Sequence, residues 1–401
     1  MDKPKLWTKD FVIDSTVNFF VYLVYYIFLV IVAVFAIDNL KATPAQGGLA
    51  SGLFILAALF SRIVTGRLIE QVGQKKMLYI GIAVYMLVTC LYFKITSLPV
   101  LYGVRFLHGA GFGIAATATG TIIANIIPRG RRGEGVSYYA MSATLAYAIG
   151  PFLGIYLLDR VKFDIIVDLC VSLTAISCLA VLFLKVPATE MTEEQRNGMK
   201  RFALSNYIEC AALPISLIGA VLCISYSSVL SFLVPYTREI SLYNAGSLFF
   251  LVYSIVVLIS RPLTGRLFDS KGEKSVMYPA FLTFAIGLVI LSQVHHNFVL
   301  LFAGGILGFG FGTFVSSCQA IAISASPSHR MGLATSTFFS LADGGAGGGP
   351  FFLGFLVPLI GFRGLYLAMA GLALVCMFLY FLLCSRKVGY GFASRRKKIL
   401  T

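Results

Sequence analysis

SRIVTGRLIEQVGQKK occupies Ser61–Lys76, and SRPLTGRLFDSKGEKS occupies Ser260–Ser275. Both follow an apolar run, and they lie 199 positions apart. The same offset extends far beyond them. Thr65-Gly66-Arg67-Leu68 falls on Thr264-Gly265-Arg266-Leu267, Glu70 on Asp269, Gly73 on Gly272 and Lys75 on Lys274. Gly109, Gly111 and Gly113 fall on Gly308, Gly310 and Gly312. Arg131 and Gly133 fall on Arg330 and Gly332, and Gly150-Pro151 falls on Gly349-Pro350. One constant offset held over so many positions makes the chain two copies of one unit.

Composition names the solvent of that unit. Of the 401 residues, 58% are hydrophobic and 12% are charged, and the mean hydropathy is +0.87. Soluble domains carry about 25% charged residues, so this chain has too little polar surface to coat a globule in water. A spanning helix needs roughly 20 mainly apolar residues, and lipid demands that backbone groups pair within their own segment. Twelve such runs stand near 11–36, 46–68, 77–95, 99–126, 135–158, 164–185, 213–235, 244–268, 276–293, 298–325, 331–359 and 364–384. The runs do not alternate polar and apolar residues, which excludes a β-barrel. The first is too long for a cleaved signal peptide and no small-residue cleavage site follows it.

The expected architecture is an all-α membrane protein with twelve transmembrane helices in two parallel six-helix repeats. The first half covers 1–186, a linker 187–212, and the second half with a basic tail 213–401. Parallel repeats related by an axis along the membrane normal are one architecture of secondary transporters. The linker holds charges of both signs and reads as cytoplasmic, with room for one interfacial helix.

The net charge of +15 is spread in a way that speaks against nucleic acid. With the N-terminus inside, the cytoplasmic segments hold Lys3, Lys5, Lys9, Lys75, Lys76, Arg129, Arg131, Arg132, Lys200, Arg201, Arg330 and a tail from Arg386 to Lys398. The outer segments hold Lys41, Lys94, Arg160, Lys162, Arg238 and Arg363. This is the positive-inside asymmetry, and with an even number of spans it places both termini in the cytoplasm; the expected location is a bacterial plasma membrane. The eight cysteines lie mostly within apolar runs with no CxxC spacing and read as small buried hydrophobes, so no metal site is expected.

The repeated segment resembles the loop motif of the major facilitator superfamily, glycine-x-leucine-alanine-aspartate-arginine-x-glycine-arginine-lysine. Glu70 stands where the motif has aspartate, and Gln71 and Gln74 replace arginines, while the second copy keeps Asp269. The resemblance implies a conformational latch made of Gly66, Glu70, Gly73, Lys75, Gly265, Asp269, Gly272 and Lys274, weakened by the missing arginines. Acid and base would bridge to adjacent helix ends, and bulk at Gly73 or Gly272 would block close packing. LYGVRFLHGAGFG, Leu101–Gly113, is similar to the fourth-helix motif of the family's twelve-helix drug and metabolite:proton antiporters, with Arg105 in the arginine position and His108 in place of the usual glutamine. AYAIGPFLG, Ala146–Gly154, resembles their fifth-helix packing motif through Gly150, Pro151 and Gly154, with Gly349 and Pro350 as the repeat's counterparts. Ser137, Ala146 and Ile155 depart from it. The likeness implies a proton-coupled transporter, most of all an exporter of small amphipathic molecules. A transporter of a specific polar metabolite, such as a sugar, organic acid or metal-chelating metabolite, stands as the alternative.

Polar groups within apolar runs supply candidates for proton coupling, because charge there is costly and marks function. Arg105 either serves coupling, as the resemblance implies, or snorkels to the outer interface. His108 shares its helix face and has an ordinary pKa suited to proton exchange, though packing explains it as well. Asp343, in SLADGGAGGGP, faces a cavity or holds an interhelical hydrogen bond. Asp14 carries a proton or caps the start of the first helix. In the fold that the resemblance implies, Asn18, Tyr22, Tyr25, Tyr26, Tyr226 and Gln319 line the substrate cavity. No HExxH, GxSxG or clustered acid and histidine site points to an enzyme, and no Walker motif points to ATP. The expected partners are a small-molecule substrate, protons and the lipid bilayer, with no nucleic acid. The protein is expected to be a monomer without cofactor, powered by the proton gradient.

Overall fold

A computed structural model describes residues 5–158, 160–187 and 206–383. Lys3, most of the linker with its expected interfacial helix, and the basic tail lie outside the described residues. The chain forms α1 (Lys9–Leu40), α2 (Pro44–Val72), α3 (Gln74–Leu91), α4 (Leu98–Ile126), α5 (Arg132–Leu158) and α6 (Phe163–Leu182), then α7 (Leu213–Glu239), α8 (Tyr243–Lys271), α9 (Lys274–Ser292), α10 (Asn297–Ala325), α11 (Met331–Gly354) and α12 (Val357–Leu383). Each matches one apolar run of the sequence. Thr8 opens α1 by accepting from Phe11 N at 3.2 Å. Thr43 opens α2 through a reciprocal capping box with Gln46, satisfying donors the helix itself leaves free.

Eleven of the helices are long and apolar enough to cross a membrane. The exception is α11, diluted by serines, threonines, glycines and Asp343. Its end also departs from expectation: α11 stops at Gly354 rather than 359, and α12 begins at Val357 rather than 364. Gly361, at φ 68°, breaks α12 after its first turn, which lets a short helical start and the main span share one element.

Contacts divide the chain into two units. The first holds α1–α4, α5 from Tyr139 onward, α6, and Pro327–Ser340 at the start of α11. Its core joins Val24 and Phe28 of α1, Phe54 of α2, Ile82 and Tyr85 of α3, Phe112 of α4 and Val167 of α6. The second holds Arg132–Tyr138 at the start of α5, then α7–α10, α11 from Leu341, and α12. Leu222, Val229, Phe281, Phe284, Leu307 and Phe314 are buried there. Large apolar side chains also stand exposed on both, among them Phe152 in the first and Phe298 in the second. That is the surface of a multi-pass membrane protein.

Repeated glycines set how close the helices come. A Cβ at Gly109 would lie 2.1 Å from Phe54 O, and one at Gly113 would lie 2.5 Å from Ala58 O, so both positions face α2. One at Gly111 would lie 2.8 Å from Tyr85 N, facing α3. In the second unit Gly308 meets Tyr253 O at 2.5 Å in α8 and Gly310 meets Phe284 N at 2.6 Å in α9. Helices in lipid gain from this backbone approach, because tails give no hydrophobic drive between them.

Gly109→Val should force α4 off α2, an overpacking cost of about 1–3 kcal/mol. A lowered melting temperature of the detergent-purified protein is expected. Gly103→Val, where no atom lies within 4 Å, should leave it unchanged.

Candidate functional site

The two turns of the repeat end on carboxylates aimed at helix starts. The first four N–H groups of a helix lack intrahelical partners, and the helix dipole favours negative charge there. In the second unit both oxygens of Asp269 fill that role for α5: Gly133 N donates to one and Glu134 N to the other, each at 2.8 Å. Glu134 answers by accepting from Arg266 Nε at 2.9 Å. The helices can touch there because of Gly265, where a Cβ would sit 2.7 Å from Ser137 Oγ and 2.8 Å from Gly133 O.

The first unit repeats the design. Gly332 N, at the start of α11, donates to Glu70 Oε1 at 3.4 Å, and Gln74 Nε2 approaches the same carboxylate at 3.1 Å. The longer glutamate thus divides its oxygens between a helix start and a neighbour on its own turn. A Cβ at Gly66 would sit 2.3 Å from Ser336 Cβ, and Ser336 Oγ donates to Arg62 O at 2.6 Å. Ser336 and Ser137 obey the 199 offset, as do Gly332 and Gly133. Leu333 stands where α5 has Glu134, so Arg67 turns instead to the hydroxyl and ring of Tyr207. Glu209, two residues on, accepts from Arg330 Nε, and its backbone N–H donates to Thr337 Oγ1 at 2.9 Å. Burial, then the Arg330 cation, pushes the nearby His329 imidazole below its ordinary value, with Glu209 acting in the opposite sense. Burial likewise pushes Glu273, the counterpart of Gln74, above the ordinary carboxyl range.

The remaining members of the expected latch sit differently. Lys75 Nζ donates to Leu182 O at 3.1 Å and Leu184 O at 2.7 Å, closing the C-terminal end of α6, where cations belong. Lys274 is exposed. The expectation of close packing at Gly73 and Gly272 is corrected: a Cβ there would meet nothing within 4 Å. These glycines are required by backbone conformation instead, with φ at +97° and +86°, where a Cβ is strained.

Within α4, Arg105 is fully buried. Its Nε donates to Ala50 O at 3.2 Å and its NH1 to Tyr92 Oη at 3.2 Å, with the guanidinium 4.4 Å from the Phe54 ring centre. Tyr92 also meets His108 Nδ1, which brings Arg105 and His108 into one cluster. Asp14 lies elsewhere on α1. It is fully buried, and neither of its oxygens has a hydrogen-bond partner among the described residues. One helical turn on, Asn18 donates to Ser142 Oγ at 2.8 Å and accepts from Thr119 Oγ1 at 3.1 Å and Tyr139 Oη at 2.9 Å. This network joins α1, α4 and α5. Beside it Tyr25 stacks on Phe54 with centroids 5.0 Å apart, Tyr22 meets Phe112 edge-on at 5.1 Å, and Tyr26 meets Tyr147 at 5.2 Å.

The second unit answers with a matching aromatic stack. Tyr226 lies between Phe311 at 3.8 Å and Tyr253 at 5.7 Å, as Tyr25 lies between Phe112 and Phe54. Gln319 is buried, and its amide nitrogen has no partner among the described residues. Asp343 is half-buried within electrostatic reach of Cys223 on α7. Gly150 approaches Tyr26 Cβ, Gly154 approaches Ile31, and Gly349 approaches Ser227. Pro151 and Pro350 sit inside α5 and α11.

Several residues of this site were not singled out from sequence. Arg62 and Arg261 are both buried, and Arg62 lies 5.1 Å from the Phe339 ring. Their signal was present, since they obey the 199 offset inside the stretches quoted first. Tyr139, Thr119, Glu134, Tyr207 and Glu209 carried no such signal, because their partners are remote in sequence.

A charge-assisted hydrogen bond contributes about 1.5–3 kcal/mol. Asp269→Ala should therefore speed amide exchange at the start of α5 markedly. Glu70→Ala should do the same at the start of α11. Deuterium uptake of the two peptides, followed by mass spectrometry, checks both.

The comparisons with known proteins agree with this geometry. A family model described as Major Facilitator Superfamily matches residues 15–270 and 215–400. The staphylopine export protein of Staphylococcus aureus is 24% identical over 364 residues, covering 86% of this chain and 88% of its own length. The multidrug resistance protein MdtG of Dickeya zeae is 28% identical over 170 residues, 41% of each chain. Among solved structures, the human organic anion transporter MFSD10 (TETRAN) aligns with a TM-score of 0.77 at 14% identity over 94% of this chain and 100% of that one. The transporter FucP in the outward conformation aligns with a TM-score of 0.73 at 15% identity over 94% and 99%. Twelve long helices among the described residues, twin glycine turns beside helix-capping acids, and a family match along nearly the whole sequence have one meaning: the chain belongs to the Major Facilitator Superfamily of membrane transporters.

Proposed function

We propose that the protein exports small amphipathic molecules in exchange for protons, by alternating access, as a monomer in a bacterial plasma membrane with both termini in the cytoplasm. The observation that carries this reading is Asp14, fully buried with neither oxygen hydrogen-bonded, one turn from the Asn18 network. An ionised carboxylate without a partner is costly in such a place. A carboxyl group there gains by holding a proton and loses it when water or a cation arrives. The flanking Tyr22, Tyr25 and Tyr26 offer apolar faces with polar handles, suited to an amphipathic guest. Arg105 is assigned to coupling as a fixed buried cation, with Asp343 as a second acid on the other repeat. The excess of Lys and Arg in alternate loops supports the orientation, and the name of the staphylopine export protein supports export.

A specific polar metabolite is the second reading. It is favoured by the staphylopine export protein, which matches along 88% of its length, whereas MdtG matches along 41%. Hydrogen-bonding groups such as Asn18, Thr119, Tyr139 and Ser142 suit selective recognition, because a site built to hydrogen-bond rejects analogues lacking the group.

Proteoliposomes with an acidic lumen test both readings. Exchange for protons should drive ethidium into the lumen, and collapsing the gradient should stop it. Arg105→Ala and Asp14→Asn should abolish gradient-driven movement, while Asp14→Asn retains dye-for-dye exchange. Movement of a polar metabolite without movement of dye favours the second reading. Gradient-driven movement that survives in Asp14→Asn overturns the assignment of the proton to Asp14.

A further inference from the structure

His108 lies at the centre of a hydrogen-bond chain whose polarity is fixed by counting protons. Arg105 NH1 can only donate, so Tyr92 Oη accepts from it at 3.2 Å. The hydroxyl proton of Tyr92 then points to its other neighbour, His108 Nδ1, at 3.3 Å. At the far end Thr89 Oγ1 donates its one proton to Tyr85 O at 2.7 Å. It can therefore only accept from His108 Nε2, 3.1 Å away. The chain runs in one direction, from Arg105 to Tyr92 to His108 to Thr89 to Tyr85. A single form of the imidazole completes it: neutral, with Nδ1 bare and Nε2 carrying the proton. A proton added at Nδ1 would reverse the contact with Tyr92 and leave the Tyr92 hydroxyl proton without its acceptor.

The ring is also held rigidly. It stacks on Tyr85 with centroids 4.2 Å apart and planes 6° apart. Phe28 of α1, Phe54 of α2 and Tyr92 close the other sides edge-on. The titratable or charged groups facing this cluster are Arg105 on α4, Tyr85 and Tyr92 from α3 and its end, Tyr25 of α1, and Cys170 of α6 beside the two tyrosines. None of them is a carboxylate that would stabilise an imidazolium.

We infer that His108 is a positioning residue rather than a proton carrier: with Tyr92 it forms a fixed, neutral hydrogen-bond link that orients the Arg105 guanidinium. The transport arm of this inference rests on the proposed proton coupling, but the protonation form does not. A carboxamide offers the same pair of groups, one acceptor and one donor, so glutamine can complete the chain. Leucine can complete neither end.

The full-length protein in nanodiscs, labelled with ¹⁵N-histidine, tests the link directly. The chain has four histidines, and the signal absent from His108→Gln belongs to His108. It should show the Nε2–H neutral form unchanged across about pH 5.5–8.5, the window that brackets an ordinary histidine. In the proteoliposome assay with ethidium, His108→Gln should keep the parent's initial rate and pH profile. His108→Leu and Tyr92→Phe should slow it by about tenfold, as expected for leaving a buried polar group unpaired. Titration of the His108 signal in that window, or an Nδ1–H form, overturns the inference. So does a shifted pH profile in His108→Gln. Absence of any gradient-driven transport in the parent would sink the proposed function while leaving the spectroscopic result standing.

Discussion

The fold turns on a carboxylate lodged at the bare N–H groups of a helix that belongs to the other repeat. Asp269 of α8 caps α5 through bonds from Gly133 N and Glu134 N, and Glu70 of α2 caps α11 through a bond from Gly332 N. The constraint is electrostatic and steric together. The positive end of a helix attracts the acid, but it can be reached only where glycines at 66 and 265 leave no side chain between the helices. This explains why the exchanged segments, Arg132–Tyr138 and Pro327–Ser340, each cluster with helices of the opposite repeat. It also explains the repeated sequence itself, since glycine, acid and turn glycine are needed at the same spacing twice.

The two copies are unequal, and their inequality has a chemical cause. Aspartate, shorter by one methylene, places both oxygens on α5, and Glu134 returns to Arg266. Glutamate in the first copy shares itself with Gln74, and the missing acid at Leu333 frees Arg67 for Tyr207. The first copy is also braced by Glu209, on Arg330 and Thr337. The last residues of the linker thus hold the start of α11.

Much of this was legible in the sequence, for physical reasons. Apolar length fixes a spanning helix almost alone, so all twelve runs became helices with ends displaced by a few residues. The largest displacement, at α11 and α12, arose where glycine and proline set the backbone and hydropathy does not. The 199 offset exposed the glycine turns, yet the reason for Gly73 was misread as packing, because sequence cannot separate a crowded glycine from one at positive φ. Arg105 and His108 were visible as polar groups in an apolar run. Their joining through Tyr92 was not, because Tyr92 sits in a separate element and looks like any interfacial aromatic. Tyr139 and Thr119 were missed for the same reason: each gains meaning only when Asn18, more than 100 positions away in sequence, comes to meet it.

We propose that these helix-start contacts are made and broken during transport. Ser336 reports on it, being fully buried beneath Gly66 with its hydroxyl on Arg62 O. In an otherwise cysteine-free chain carrying Ser336→Cys, alkylation by an impermeant thiol reagent can be timed in vesicles with and without an imposed pH gradient. The account predicts slow labelling at rest and a clear acceleration when the gradient drives turnover. Equal rates in both conditions would contradict it.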